Sequence, residues 1–317
     1  MRRFLVLLAA CAAGCGGGDD AGAPPELTVG LDFTPNAAHA GIYAAVRAGH
    51  DRDNGIRLRI RPPAGGSPDS LKLLATRRAD IAVLDVHDLG IALERGSDVV
   101  AVGALVQRPL AAVIARGDRG VDRPRDLEGR RVGVAGLPSD DAVLRAVVEA
   151  DGGDFDRVRR VTIGFASVPS LLAGRVDAAT AFWNAEGVVL RERGLATREF
   201  RVDEFGAPRY PEVVLVVRRD TLEERREDVT AAVRAIAAGT REALRDREAA
   251  VAEIAAASEA DETLVRAQLD AVAPAMEPPL VLSRRAVAGW ASFATDFGIL
   301  ARRPDVDRAF ELGLYRP

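Results

Sequence analysis

The stretch LKLLATRRADIAVLD, residues 71–85, has a counterpart in SLLAGRVDAATAFW, residues 170–183. Each carries a short helical segment ending in Leu-Leu-Ala, then an arginine, then an aspartate (Asp80 or Asp177) that introduces a strand of small apolar residues, with an offset of one residue. Such helix–strand units belong to α/β layers, and the chain leaving each strand emerges at its carboxyl end, where open α/β sheets bind ligands. Two such ends facing one another make a cleft between two lobes.

Working outward, LTVGLD (27–32) is a strand, and IRLRI (56–60) alternates so that Ile56, Leu58 and Ile60 share one face. His39 to Ala48 reads as a helix stopped by Gly49. Ser67 and Pro68 suit the N-cap and first position of a helix running to Arg78, because proline lacks only an N–H that would be unpaired there. Downstream, Ser139 caps a helix with Asp140 and Asp141 in its first turn, where carboxylates favour the positive dipole end. VRRVTIGF (158–165), DAATAFW (177–183) and EVVLVVR (212–218) are strands. From Thr221 onward the pattern is almost wholly helical. The expected organisation is lobe 1 from 26 to 115, lobe 2 from 116 to 212, and a return to lobe 1 with C-terminal helices from 213 to 317. Each lobe is a mixed, mostly parallel sheet flanked by helices. A chain of 317 residues exceeds the roughly 250–300 at which single cores stop growing.

The first residues set the compartment. Arg2 and Arg3 precede an apolar run, Phe4 to Ala10, and small residues continue to Gly14, which is the pattern of a signal peptide. The run is far shorter than the roughly 20 residues needed to span a bilayer. LAAC ending at Cys11 and AAGC ending at Cys15 both resemble a lipobox; Cys15 is favoured as the acylated residue because it leaves the longer apolar region, whereas Cys11 has the better Leu8. Residues 1–15 are then a lipoprotein leader and 16–25 a Gly-rich tether. The chain is expected outside the cell membrane, lipid-anchored or periplasmic, and monomeric. Both cysteines lie in this leader, so the folded part has no disulfide.

The formal net charge is −4, and arginines alternate with acids in runs such as DRPRDLEGR and REALRDREA. Without a basic face, nucleic acid is not an expected partner. There is no GxSxG, HExxH, Walker A or GxGxxG. His39, His50 and His87 are too dispersed to indicate a metal site by spacing, and neither a cofactor nor an enzymatic activity is expected.

The strongest local signal is LDFTPNAAHAGIYAA (31–45): a strand end delivering Asp32, a Pro-organised turn, and a helix beginning near His39. Polar side chains and free N–H groups converge there at one edge of the cleft, although Asn36 and His39 also suit ordinary turn and helix-start chemistry. This stretch, the Gly65-Gly66 pair, DLEGRRVGV (126–134), FWNAEG (182–187) and FGAPRYPE (205–212) together resemble the family of periplasmic proteins that bind thiamine-pyrimidine precursors and the related pyrimidine synthases. The resemblance runs from about Leu27 to Val217.

It implies a type II periplasmic binding protein fold serving an ABC importer, with permease subunits as partners and a small aminopyrimidine-like ligand. Aromatics make up 5% of the chain, so Trp183 is the candidate for stacking on the ligand, with Asn184 beside it and Glu186 accepting hydrogen bonds from an amine; the alternative is a core Trp with a solvated Glu. Tyr210 matches the position of a second cleft-lining aromatic, or is a surface-loop tyrosine. Asp32, Asn36, His39 and Tyr43 would form the opposite wall, with Gly65 and Gly66 letting backbone approach the ligand. Asp85, His87 and Gln107 lie at the sheet edge, where each either touches ligand or satisfies backbone groups in a turn. Phe33 stands where many relatives carry Trp. The synthase branch uses its own histidine as a substrate and carries a cysteine-rich run; His39 matches that position, but the run is missing here, and Lys72 is the one lysine available for a Schiff base. A sulfonate, nitrate or riboflavin-like ligand on the same fold is the other reading.

Overall fold

The computed structural model of the protein describes residues 23–63 and 70–316. The leader, Cys11, Cys15, most of the tether, Gly65, Gly66, Ser67 and Pro68 lie outside the described residues.

The strands form two five-stranded sheets. The first contains β1 (Glu26–Gly30), β2 (Arg57–Arg61), β3 (Ile81–Asp85), β4 (Val99–Val106) and, from far along the chain, Val213–Arg218, which is β10. The second contains β5 (Ala111–Arg116), β6 (Arg131–Val134), β7 (Arg159–Thr162), β8 (Ala178–Phe182) and β9 (Thr197–Arg201). Their orders, β2-β1-β3-β10-β4 and β7-β6-β8-β5-β9, are one topology used twice. In each sheet the first three strands are parallel, and the fourth place is taken by an antiparallel strand that has just crossed from the other lobe. Because β5 already belongs to the second sheet, the first crossing occupies residues 107–110, ahead of the boundary expected near Arg116. The return crossing runs through 202–212 and meets the first sheet at Val213.

The repeated unit of the sequence is a repeated hydrogen-bond arrangement. Asp80 precedes β3 and accepts from Thr28 N (2.8 Å), while its own N–H donates to Thr28 O (2.9 Å). Asp177 precedes β8 and does the same with Arg131 (2.9 and 2.8 Å). Each carboxylate thus pins the start of a third strand to the first, and each has arginine beside it, Arg225 for Asp80 and Arg131 and Arg119 for Asp177.

Strands β3, β4 and β10 are buried almost throughout, as expected for strands covered on both faces. Alternate residues serve opposite layers. Ile81, Val83, Leu215 and Val217 face a core built with α1 (Ala40–Arg47), while Ala82, Leu84, Val214 and Val216 face a second core. The remaining helices are α2 (His50–Asp53), α3 (Ser70–Ala75), α4 (Val86–Glu94), α5 (Pro138–Ala150), α6 (Ser167–Leu172), α7 (Glu186–Glu192), α8 (Arg219–Glu224), α9 (Arg226–Arg245), α10 (Arg247–Ser258), α11 (Glu262–Val272), α12 (Arg284–Asp296) and α13 (Val306–Ala309). Helix α3 ends at Ala75, short of Arg78, and Arg77 takes a positive φ of 55°. Among the described residues no helix is long and apolar enough to cross a membrane. The edge strand β7 (Arg-Arg-Val-Thr) is exposed along its length, and its charges oppose pairing with another chain.

Helices α1 and α9 cross so closely that a methyl group on Gly239 would collide with the Gly41 carbonyl and the Ala45 backbone, and one on Gly41 with Thr240 Oγ1. An alanine gains about 1 kcal/mol of helix propensity over glycine. At Gly239 the obstacle is backbone, which no rotamer relieves, and overpacking costs about 1–3 kcal/mol. Gly239→Ala is therefore expected to lower the urea midpoint with an unchanged m-value; an unchanged or raised midpoint would show that the crossing has slack.

Candidate functional site

The carboxyl ends of β1 and β3 deliver Asp32 and Asp85, and the carboxyl end of β8 delivers Trp183, Asn184 and Glu186. These are the expected cleft edges of the two lobes.

On the first edge, Asn36 N–H donates to His39 Nδ1 (3.2 Å), so that nitrogen is an acceptor and Nε2 carries the proton, which it donates to Asp32 Oδ1 (2.7 Å). The Asn36 side chain accepts from Ala38 N (2.9 Å) and donates to Thr34 O (3.0 Å). His39 is buried, whereas the Asp32 side chain at the end of this chain of bonds keeps 26% of its surface open to solvent. Asn36 and His39 therefore act by holding the turn and aiming Asp32. Tyr43, on α1, is half-buried; burial and then the charge of Glu253 push its phenol up to about 12, which keeps it a neutral donor.

Asp85 caps α4 by accepting from His87 N (2.6 Å). It also shares a hydrogen bond with Glu212, a buried residue that was not among the candidates. The Glu212 carboxylate accepts from Leu110 N (2.8 Å), its backbone N–H donates to Val106 O (3.1 Å), and its carbonyl accepts from Val86 N (2.8 Å). One residue of the return crossing thus grips the first crossing and lobe 1 together. Burial, opposed by the hydrogen bonds from His87 N and Glu212 and helped by the charge of Asp32, pushes Asp85 up to about 6, and burial followed by the charge of Asp85 pushes Glu212 well above the ordinary carboxyl range, so the pair retains a proton where free acids have lost theirs.

His87 and Tyr210 lie inside the core beneath this pair. Trp290 Nε1–H donates to His87 Nδ1 (3.2 Å), which leaves Nε2–H to donate to the Tyr210 hydroxyl (3.1 Å), and Phe293 packs on both rings. Burial lowers His87 to about 3, so it is neutral. Asp85, His87 and Glu212 each offer a ligand atom within 4.8 Å of the others. Both nitrogens of His87 are engaged, so a cation there would have to break the bond to Trp290 or to Tyr210. Gln107 spends its amide on three carbonyls, those of Ala104 (3.3 Å), Pro278 (2.7 Å) and Val281 (3.0 Å), and so anchors the C-terminal segment.

On the second edge, Trp183 is 2% exposed. Its Nε1–H donates to Pro109 O (3.0 Å), and the Arg201 guanidinium sits 4.2 Å from the ring centroid with Arg108 at 5.6 Å. In this conformation the ring packs on the first crossing and offers no open face. Asn184 is also buried, and its Oδ1 has no hydrogen-bond partner among the described residues. Glu186 opens α7, accepts from Phe182 N (3.0 Å), and is held above the usual carboxyl range by burial. The polar groups gathered at the two edges are thus carboxyls and an unpartnered amide oxygen, a set that receives N–H donors.

Comparison with known proteins agrees with this architecture. A profile described as NMT1/THI5 like matches residues 36–250. The chain is 32% identical over 236 residues to the formylaminopyrimidine-binding protein of Halalkalibacterium halodurans, covering 74% of this chain and 71% of that one. It is 24% identical over 180 residues to the 4-amino-5-hydroxymethyl-2-methylpyrimidine phosphate synthase of Legionella pneumophila, covering 57% and 56%. The periplasmic aliphatic sulphonate binding protein of Escherichia coli superposes with a TM-score of 0.73 at 16% identity, covering 90% of this chain and 97% of that one, which establishes the two-lobed type II fold.

The raised acids give stability a defined slope with pH. An acid whose folded pKa lies above its unfolded value is fully stabilising below the unfolded value and loses that contribution as pH rises through the folded one. For Asp85 the window runs from 3.8 to about 6, and for Glu212 from 4.5 to well above. Glu212→Gln keeps an oxygen for Leu110 N but cannot ionise. The melting temperature of the variant minus that of the wild type should therefore rise between about pH 4 and pH 8; parallel curves would show that the pair carries no shared proton.

Proposed function

The chain belongs to the NMT1/THI5-like family, and from that premise we propose that it is the solute-binding component of an ABC importer, closing two lobes on an aminopyrimidine related to thiamine precursors. The observation that carries this reading is the buried, unpartnered Oδ1 of Asn184 beside Glu186. A buried acceptor left without a donor costs about 1–3 kcal/mol, and an exocyclic amine supplies the missing N–H. The Glu186 carboxyl beside Asn184 accepts from an amine N–H. Asp32, aimed by His39, offers a second acceptor from the other lobe. The relative that binds formylaminopyrimidine supports the same ligand class. Sulfonate and nitrate bring acceptors only, so they have nothing to give Asn184 or the carboxyls.

The state of His39 supports a binder over a synthase. The chemistry expected of the synthase branch consumes a histidine, whereas here both imidazole nitrogens are bonded and the ring is buried. Export and attachment through Cys15, with Cys11 as the alternative, complete the proposal, with permease subunits as the partners that receive the ligand.

A ligand that binds only the folded state raises the melting temperature. Formylaminopyrimidine and hydroxymethylpyrimidine should do so in the mature protein, and riboflavin, alkyl sulfonates and nitrate should not. Asn184→Leu removes the orphaned oxygen, so the unliganded variant should melt no lower than wild type while binding aminopyrimidine about tenfold more weakly, equivalent to about 1.4 kcal/mol. Failure of every aminopyrimidine to shift the wild-type melting curve would sink the reading.

A further inference from the structure

A flat heterocycle needs aromatic or apolar faces, and the two rings expected to supply them, Trp183 and Tyr210, are enclosed by protein. Among the described residues the large hydrophobic side chains left exposed are Phe33 (47%), Leu137 (46%), Val161 and Phe165 (74%). Three of these share one position in the fold. Strand β1 ends at Gly30, β6 at Val134 and β7 at Thr162, and Phe33, Leu137 and Phe165 each stand three residues beyond the end of their strand. β1 and β6 hold equivalent places in the two sheets, so Phe33 and Leu137 are counterparts on the two cleft edges, with Phe165 next to Leu137 on the edge of lobe 2.

The two lobe 2 turns are built to hold these side chains outward. Gly136 and Gly164, immediately before Leu137 and Phe165, take positive φ values of 96° and 57°, a conformation in which a glycine avoids the strain of a Cβ. The N–H groups of Gly136 and Leu137 both donate to Asp140 Oδ2 (2.9 and 2.8 Å), and Ala166 N–H donates to Ile163 O (3.3 Å) across Phe165. Hydrogen-bonded turns that hold a phenylalanine and a leucine in water forgo the burial of both side chains unless something covers them.

Resting on the aminopyrimidine reading above, we propose that Phe165, seconded by Leu137, is the lobe 2 surface that packs on the face of the bound heterocycle opposite Phe33, and so sets the ring size the cleft accepts. Phe165 is the specificity-determining residue of the pair because it is the aromatic one and the more exposed. The ring–ring contact strengthens the closed state without adding a hydrogen bond, so ligands with the same polar edge are sorted by the breadth of their flat face.

The test measures affinity for formylaminopyrimidine and hydroxymethylpyrimidine in the mature wild-type protein, Phe165→Ala and Phe165→Tyr, with melting curves of the unliganded forms. Wild-type binding establishes the ligand class independently. Given that, Phe165→Ala should bind about tenfold more weakly with an unchanged unliganded melting temperature, and Phe165→Tyr should recover most of the affinity. In Phe165→Trp, ligand should change the fluorescence of the new indole while the buried Trp183 and Trp290 contribute a constant background. Wild-type affinity in Phe165→Ala overturns the proposal, and if transport in cells is nevertheless impaired the exposed ring belongs to a permease contact instead.

Discussion

The buried carboxyl of Glu212 is where the two halves of the molecule are joined. The chain passes between lobes twice, and Glu212 bonds to the first crossing through its side chain and to lobe 1 through its backbone. An uncompensated charge there would be costly, and the structure avoids it by burying the acid against Asp85 so that a proton is retained. The aromatic block of His87, Tyr210, Trp290 and Phe293 then fills the space beneath. Both cleft edges are placed relative to this junction, since β3 leads into it and the segment after β8 is fastened to it through Trp183 and Pro109.

The polar side chains of the cleft divide accordingly into those that hold position and those left with capacity. Asn36 and His39 have their side-chain bonding groups filled by neighbours, and the Gln107 amide nitrogen is spent on carbonyls, so these residues fix where Asp32 and the crossing stand. Asn184 and Glu186 keep unspent or adjustable hydrogen-bonding capacity in a buried setting, where an added bond is worth more than at the surface.

Much of the fold was legible because continuous apolar runs and the repeated Leu-Leu-Ala…Asp unit report strands covered on both faces. The lobe boundary was harder to see. AAVIAR, which is β5, follows VVAVGALV after only Gln-Arg-Pro-Leu, so the sequence offers no composition change at the point where the chain changes lobe. TREFR, which is β9, reads as surface because its residues other than Phe200 are polar or charged, and Phe200 is the one that is buried. In the site, Trp183 and Tyr210 stood out as rare aromatics in a cleft stretch, but a large ring is as suited to a core as to a ligand, and sequence does not separate the two. Glu212 closed a recognised stretch, FGAPRYPE, and led into the wholly apolar VVLVV. A charged residue abutting a buried strand was the available sign that it is buried and paired.

The two crossings have a mechanical consequence. Residues 107–110 form a short strap, held at Gln107 by three carbonyls and at Pro109 by the Trp183 indole. Residues 202–212 form a longer one whose end is pinned by Glu212. The longer strap is fastened too, by the Arg108–Asp203 ion pair (2.7 Å) and by the buried Tyr210 hydroxyl on His87 (3.1 Å), so the lobes are joined by two tied straps and not by free linkers. For the closing motion proposed above, a pivot at these straps makes the lobes lever arms, so that a small angular change there becomes a large sweep at Phe33, Leu137 and Phe165.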